Sequence, residues 1–330
     1  MQIQLHKILD VGMCYDILRS IRWELGVKCT NCLSENVVKN GKDSTNIHVQ
    51  RYHCHSCKSY FDDLSDTIFS GSHQPLHHWI TVLYLMNLNA STLQITQELE
   101  ISEDTARHMC NAIREGIVKK SLILSLAETL NLTNSDRRSG YIIAGHKRQP
   151  QNVKKAGRKP RRRRLKGKRG RGTIEDDKCP VLGLVQRGGL VKLTVVPNVQ
   201  QKTIKLIIEK TITKFSTIHT DEYNIYAKLE EWEYYHKTVN HSLGQYAKDE
   251  DGDGVYEVHC NTQECIWSLL RPWLRPHRGV SQEKLPFYVG YFEFLHNLRK
   301  RGKKALQETF ELLLKPDLRN YQQCLIISPI

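Results

Sequence analysis

The stretch Ser216-Thr217-Ile218-His219-Thr220-Asp221-Glu222-Tyr223-Asn224-Ile225-Tyr226 sets the frame for the whole chain. A β-branched run ends on an acidic pair, and a helix-like segment follows at once. That layout puts the Asp221 carboxylate at the carboxyl end of a strand, where α/β folds gather their chemistry. Upstream, Tyr141-Ile142-Ile143-Ala144, Val181-Leu182-Gly183-Leu184-Val185 and Leu190 to Val196 read as strands, with Gly188-Gly189 as a hairpin turn between the last two. Thr203 to Thr213 carries Ile204, Ile207, Ile208 and Ile212 at the spacing of an amphipathic helix. Downstream, a helix from about Tyr223 to Trp232 and a strand around His236-Lys237-Thr238-Val239 are expected. Three strands, helix, strand, helix, strand is a ribonuclease-H-like order, so the expected fold class is multidomain α/β. Such a domain binds two divalent metals between carboxylates to drive in-line attack at phosphorus. Asn261 and Glu264 are the downstream polar residues expected at the same point.

The amino-terminal third has a different character. Cys29-Thr30-Asn31-Cys32 and Cys54-His55-Ser56-Cys57 form two C-x2-C pairs with 21 residues between them. Four thiolates at this spacing can surround one zinc ion and leave no position open for water, which predicts a structural zinc ribbon. Val37-Val38 and His48 to His53 read as its short strands. The other six cysteines (Cys14, Cys110, Cys179, Cys260, Cys265 and Cys324) are scattered and read as packing residues. After the ribbon, Leu76 to Met86 is apolar at helical spacing. Ser91-Thr92 caps a segment ending near Glu100, and Ser102 opens a helix through Ile117 with Glu103 and Asp104 in its first turn. Two helices joined at Leu99-Glu100-Ile101-Ser102 resemble a helix-turn-helix, whose recognition helix would offer Arg107, His108, Asn111 and Arg114 to DNA.

Charge is concentrated in one place. The formal net charge is +14, and residues 147–172 alone hold 14 Lys or Arg with no acid. The remaining 35 basic residues are balanced by the 35 acidic ones. A segment so rich in Gly, Pro and like charge cannot bury a core. Arg158, Arg161, Arg162, Arg163, Arg164, Lys168, Arg169 and Arg171 are therefore candidates for DNA-backbone contact, which adds salt-dependent affinity without base specificity. No apolar run approaches the length of a membrane span, and Met1 to Leu25 lacks the apolar centre of a signal peptide. A cytosolic protein with a polyanionic partner is expected.

Several longer motifs carry a resemblance. They are Arg22-Trp23 with the following ribbon, Ala144-Gly145-His146-Lys147, Arg169-Gly170-Arg171-Gly172-Thr173 and Thr220-Asp221-Glu222-Tyr223. Asp249-Glu250-Asp251-Gly252-Asp253-Gly254, Glu257 to Thr262, Trp267 to Arg271 and Trp273 to Gly279 complete the set. Through them the chain resembles, over nearly its whole length, transposases of the insertion-sequence fifteen-ninety-five (ISXO-two-like) family. The resemblance implies that Asp221 is the second metal-binding acid and that Asn261 and Glu264 occupy the place of the third, helix-borne group. Arg271, two turns beyond Glu264, would hold a phosphate. The family's first acid stands three residues before the strand tyrosine; here that position is Arg138, before Tyr141. The nearest acid is Asp136. The implied cofactors are structural Zn²⁺ and catalytic Mg²⁺ or Mn²⁺. The implied partners are element ends, target DNA and further copies of the chain on that DNA, in a cytoplasmic, nucleoid-associated setting. The expected organisation is residues 1–70 for the N-terminal segment and ribbon and 71–130 for the helix-turn-helix-like region. Residues 131–310 would be the transposase domain, with a basic loop at 146–172, and 311–330 a tail. An alternative follows from Arg138: a catalytically inactive, DNA-binding remnant of a transposase.

Overall fold

The computed structural model describes residues 10–121, 130–133, 141–143, 178–254, 256–300, 302 and 304–314. The chain forms two compact units, Met1–Ser121 with Lys303–Ile330, and Leu122–Gly302. Among the described residues no helix is long and apolar enough to cross a membrane.

The first unit begins with α1 (Val11–Arg22), which starts where the Asp10 carboxylate accepts the Met13 amide. A three-stranded antiparallel sheet follows: β1 (Val37–Lys42), β2 (Gln50–Cys54) and β3 (Tyr60–Asp62), in that order. Tyr52 and Phe61 pair across β2 and β3 and pack with Cys29 and Cys54, with Trp23 against them. The Asp63 carboxylate, fully buried, ties α1 to this sheet. It accepts from Arg19 Nη1 at 2.8 Å, the Gln50 amide at 2.8 Å and the Tyr52 hydroxyl at 3.0 Å. Arg22 donates to the backbone carbonyls of Asp63 and Ser65.

Three helices come next: α2 (Leu76–Asn87), α3 (Thr92–Leu99) and α4 (Glu103–Lys120). Ser91 and Gln94 exchange the two hydrogen bonds of a capping box, and Ser102 caps the next helix through the Thr105 amide. The turn between α3 and α4 is made possible by Glu100, at φ 54°. The helix Ala305–Leu314 returns to this unit: a Cβ on Gly116 would meet Leu313, and Phe69 lies 5.8 Å from Phe310.

The second unit is built on a six-stranded sheet. Its strands are β4 (Leu130–Thr133), β5 (Tyr141–Ile143), β6 (Lys178–Gln186), β7 (Val191–Val195), β8 (Thr217–Asp221) and β9 (Tyr235–Val239). β6 and β7 form the expected hairpin, with Gly188 at φ 68° in the turn. β8 pairs in parallel with both β4 and β9.

Alternation along β6 separates two cores. Leu182 and Leu184 pack with Ile218 and with Ile204 and Ile208 of α5 (Gln201–Thr211). Val181 and Val185 pack on the opposite side with Ile266, Trp267 and Leu270, and with Leu285, Val289 and Phe292. The short pair β10 (Ala247–Lys248) and β11 (Val258–His259) leads into α6 (Asn261–Leu274), and α7 (Leu285–Lys300) closes the unit. β7 is a sheet edge, and α7 covers it chemically. Asn297 exchanges two hydrogen bonds with the Val191 backbone, and Glu293 accepts the Leu193 amide. Such coverage removes a free strand edge.

One expectation is corrected: the segment after Asp221 is not one helix to Trp232 but two single 3-10 turns, Asn224–Tyr226 and Glu230–Trp232, broken before β9 by Glu233 at φ 66°. The expected strand at Tyr141 is present and pairs with the opening of β6, while a further strand, Leu130–Thr133, lies beside β8.

Gly183 is where helix and sheet come closest. A Cβ there would lie 2.2 Å from Gln263 Nε2 and 2.9 Å from Trp267. Gly183→Ala is expected to push α6 off the sheet and destabilise the second unit by about 1–3 kcal/mol, the usual cost of overpacking. Chemical denaturation followed by tryptophan fluorescence reads this directly; an unchanged midpoint would show that the contact is not limiting.

Candidate functional site

Asp221 ends β8. Because Ile218 faces α5, period-2 alternation turns His219 and Asp221 to the other face, where α6 lies. The Asp221 carboxylate accepts the Tyr223 amide at 3.3 Å, and the adjacent Glu222 accepts the His241 amide at 2.9 Å. Across from them, α6 begins with Asn261 and carries Glu264 in its first turn. Glu264 Oε1 lies 4.0 Å from His241 Nδ1. The buried Cys260 thiol lies just before α6. It is pushed up to about 12, first by burial and then by the negative charges of Asp221 and Glu264. The thiol is therefore neutral, and carboxylates from two different elements both act on it. Asn261, Glu264 and Arg271 are exposed on α6.

Behind this edge the face turns basic and polar. His219 is buried, and Lys237 is its partner in the β8–β9 register. Arg187 donates to the His259 carbonyl at 3.2 Å. Burial, followed by the nearby Arg187, Lys237 and His259, holds His219 down to about 4. Sequence reasoning missed both His219 and His241; their only signal was proximity to Asp221 and to the strand end at Val239.

β4 and β5 both pair with β6: Thr133 stands opposite Gly183, and Tyr141 opposite Pro180. Asp136 and Arg138, between the two strands in sequence, lie outside the described residues. Leu130 pairs with Ile218 and Asn131 with His219, which brings Thr133, two residues on, level with Asp221.

The cysteine site is assembled. Cys29, Cys32, Cys54 and Cys57 have sulfurs all within 4.8 Å of one another, a group that can hold one metal ion. The Cys29–Cys57 and Cys32–Cys54 separations are 3.5 and 3.6 Å. A tetrahedron with Zn–S bonds of about 2.3 Å has edges of roughly 3.8 Å, so the set fits zinc. Both knuckles are built alike. Leu33 and Lys58 each donate an amide to the first cysteine carbonyl at 2.9 Å, and each sits at φ 61°. The Ser59 hydroxyl and amide pull the Cys57 thiol down to about 5. Backbone amides, that of Cys57 first, lower Cys54.

The remaining candidates divide. Arg107 is exposed and pairs with Glu103 and Asp104 at 2.6 Å each. Arg114 departs from its expected place: it is 2% exposed, on the inward face of α4 with Met109, Cys110, Ile113 and Ile117, so its guanidinium offers nothing to a surface ligand. Arg158, Arg161 to Arg164, Lys168, Arg169 and Arg171 lie outside the described residues. Asp249, Asp251 and Glu257 lie together in an acidic turn, with Asp249 accepting the Gly252 and Gly254 amides.

The second unit corresponds to a transposase domain: the sequence model of the ISXO2-like transposase domain matches residues 154–297, which include Asp221, Asn261, Glu264 and Arg271 and begin beyond Arg138. The chain is 31% identical over 304 residues to an uncharacterised protein in transposable element ISH50 of Halobacterium salinarum, covering 91% of this chain and 95% of that one. It is also 27% identical over 107 residues to an uncharacterised transposase-like protein of Haemophilus influenzae, 32% of this chain and 80% of that one. The chain belongs to the ISXO2-like transposase family.

Two outcomes are expected. Chelator treatment, or Cys29→Ala, should release one zinc per chain and unfold the ribbon, because metal-binding energy is folding energy in such sites; metal analysis alongside circular dichroism checks this. Neutral His219 stabilises the fold above its unfolded pKa of 6.5. That contribution declines as pH falls from 6.5 towards 4. Melting temperature should therefore drop over this window, with a shallower slope in His219→Gln.

Proposed function

We propose that the chain is an insertion-sequence transposase that binds element ends and catalyses metal-dependent DNA strand cleavage and transfer. The observation that carries this reading is that Asp221 ends a strand paired in parallel on both sides, with its neighbour Glu222 accepting the His241 amide and Glu264 Oε1 4.0 Å from His241 Nδ1. The sheet order, with β7, β6 and β4 side by side in alternating directions and then β8 and β9 parallel to β4, supports a ribonuclease-H-like arrangement. Asp221 and Glu264, with Asn261 beside them, would hold Mg²⁺ or Mn²⁺, which when bound neutralises charge at phosphorus and activates water or a 3′-hydroxyl. Arg271 would orient the scissile phosphate. The ribbon would carry structural Zn²⁺ and, with the α3–α4 pair, recognise DNA ends. The basic stretch 147–172 would hold the DNA backbone, and copies of the chain would assemble on the DNA.

Arg138 favours a second reading, a DNA-binding transposase that has lost catalysis. A guanidinium at the first-acid position repels a cation. Asp136, two residues before Arg138 in sequence, is the residue that would restore the metal site.

The deciding experiment incubates the purified chain and Mg²⁺ with supercoiled DNA carrying the element's ends. If Asp136 completes the site, cleavage is expected in the wild type and should fall at least about a hundredfold in both Asp221→Asn and Asp136→Ala, as loss of a metal-holding carboxylate implies. DNA binding without cleavage in all three proteins selects the second reading. Cleavage that survives Asp136→Ala rejects Asp136 as the first acid.

A further inference from the structure

The outward face of the ribbon carries side chains that neither the metal site nor the core uses. Tyr52, Cys54 and Phe61 point inward, so alternation turns Arg51, His53 and Tyr60 outward. Register aligns Val38, His53 and Tyr60 directly across the three strands. The His53 and Tyr60 rings lie 4.6 Å apart at 31°, and His55 extends the row at 5.2 Å from His53. Tyr60 is 65% exposed and Val38 43%. Two cations, Arg51 and Lys58, are exposed and each precedes a member of the row, His53 and Tyr60, by two residues. The acid paired with Arg51 in the ladder, Asp62, is engaged by the Leu64 and Ser65 amides and the Ser65 hydroxyl.

An exposed aromatic platform with exposed cations two residues away in the chain matches the requirements of an unpaired nucleotide. A base stacks on the ring face while a phosphate meets the cation. Bases inside a duplex are already stacked on one another, so such a platform serves only a base outside the stack. We infer that this face, centred on Tyr60 and His53 and flanked by Arg51 and Lys58, binds DNA at unpaired bases. The inference rests on the DNA-binding reading above and extends it. It gives the ribbon a contact with opened or single-stranded DNA, in addition to any duplex contact made elsewhere in the chain.

The test uses the full, zinc-loaded chain and a fluorescein-labelled oligonucleotide, single-stranded and as its duplex, at equal salt. Tyr60→Ala should weaken single-strand binding about tenfold and duplex binding less than about twofold, in keeping with the size of one stacking contact. Tyr60→Trp should retain both, and zinc content should be unchanged throughout. Iodouracil photocrosslinking of the wild type should mark Tyr60 or His53, which keeps the question open to measurement if Tyr60→Ala fails to fold. Unchanged single-strand affinity in Tyr60→Ala overturns the inference, as do equal losses on both DNA forms or crosslinks confined to residues 147–172. If the wild type binds duplex ends normally in that case, the transposase reading stands. A wild type that binds neither form overturns both.

Discussion

Parallel pairing of β8 with both β4 and β9 is the constraint from which the site follows. Parallel neighbours cannot be joined by a tight hairpin, so the chain must cross over the sheet between them. The crossover into β8 is α5, which occupies one face through Ile204 and Ile208. The opposite face is then left for α6 and α7. Strand ends that point the same way collect their following residues at one edge: Asp221 and Glu222 after β8, and His241 after β9. α6 enters over that edge with Asn261 and Glu264 in its first turn. The absence of a side chain at Gly183 allows Gln263 and Trp267 to settle onto β6, and so sets the height at which Glu264 stands relative to Asp221.

The first unit depends on a different kind of interaction. Asp63 is a fully buried carboxylate that collects donors from α1 and β2. Removing such a partner from a buried charged network typically costs roughly 3–5 kcal/mol, because the remaining charge is left without compensation. A ribbon of three short strands has little core of its own, only Tyr52, Phe61 and their neighbours. The four-cysteine group, which can hold one metal ion, stands at one end and the Asp63 network at the other. Trp23, whose Nε1 lies 3.3 Å from Asp63 Oδ1 and whose ring packs against Tyr52 and Phe61, joins the two.

The family pattern directs attention to Arg138, three residues before Tyr141. Among the described strands, β4 is the one that pairs with β8 on the side away from β9, while the Tyr141 strand pairs with the opening of β6. Asp136 and Arg138 themselves lie outside the described residues.

Much of this was legible in the residues. The two C-x2-C pairs, the β6–β7 hairpin, the isoleucine period of α5 and the acidic end of β8 are local signals, because spacing and turn chemistry act over a few residues. The reading failed where tertiary context decides. A stretch from Tyr223 to Trp232 with helical composition breaks into two 3-10 turns because it must return quickly to a parallel β9. Arg114 has the charge of a surface residue but the phase of a buried one. The strand Leu130–Thr133 has no strong pattern of its own and exists by pairing on both sides. The return of Ala305–Leu314 to the first unit is likewise a matter of packing. Sequence alone determined the chemistry available at Asp221, Glu264 and the four cysteines. Only the fold decided that the Asp221–Glu222 strand end and Glu264 lie about His241, since residues about forty positions apart are brought together by burial of the α6 apolar face on β6 and by nothing in their local sequence.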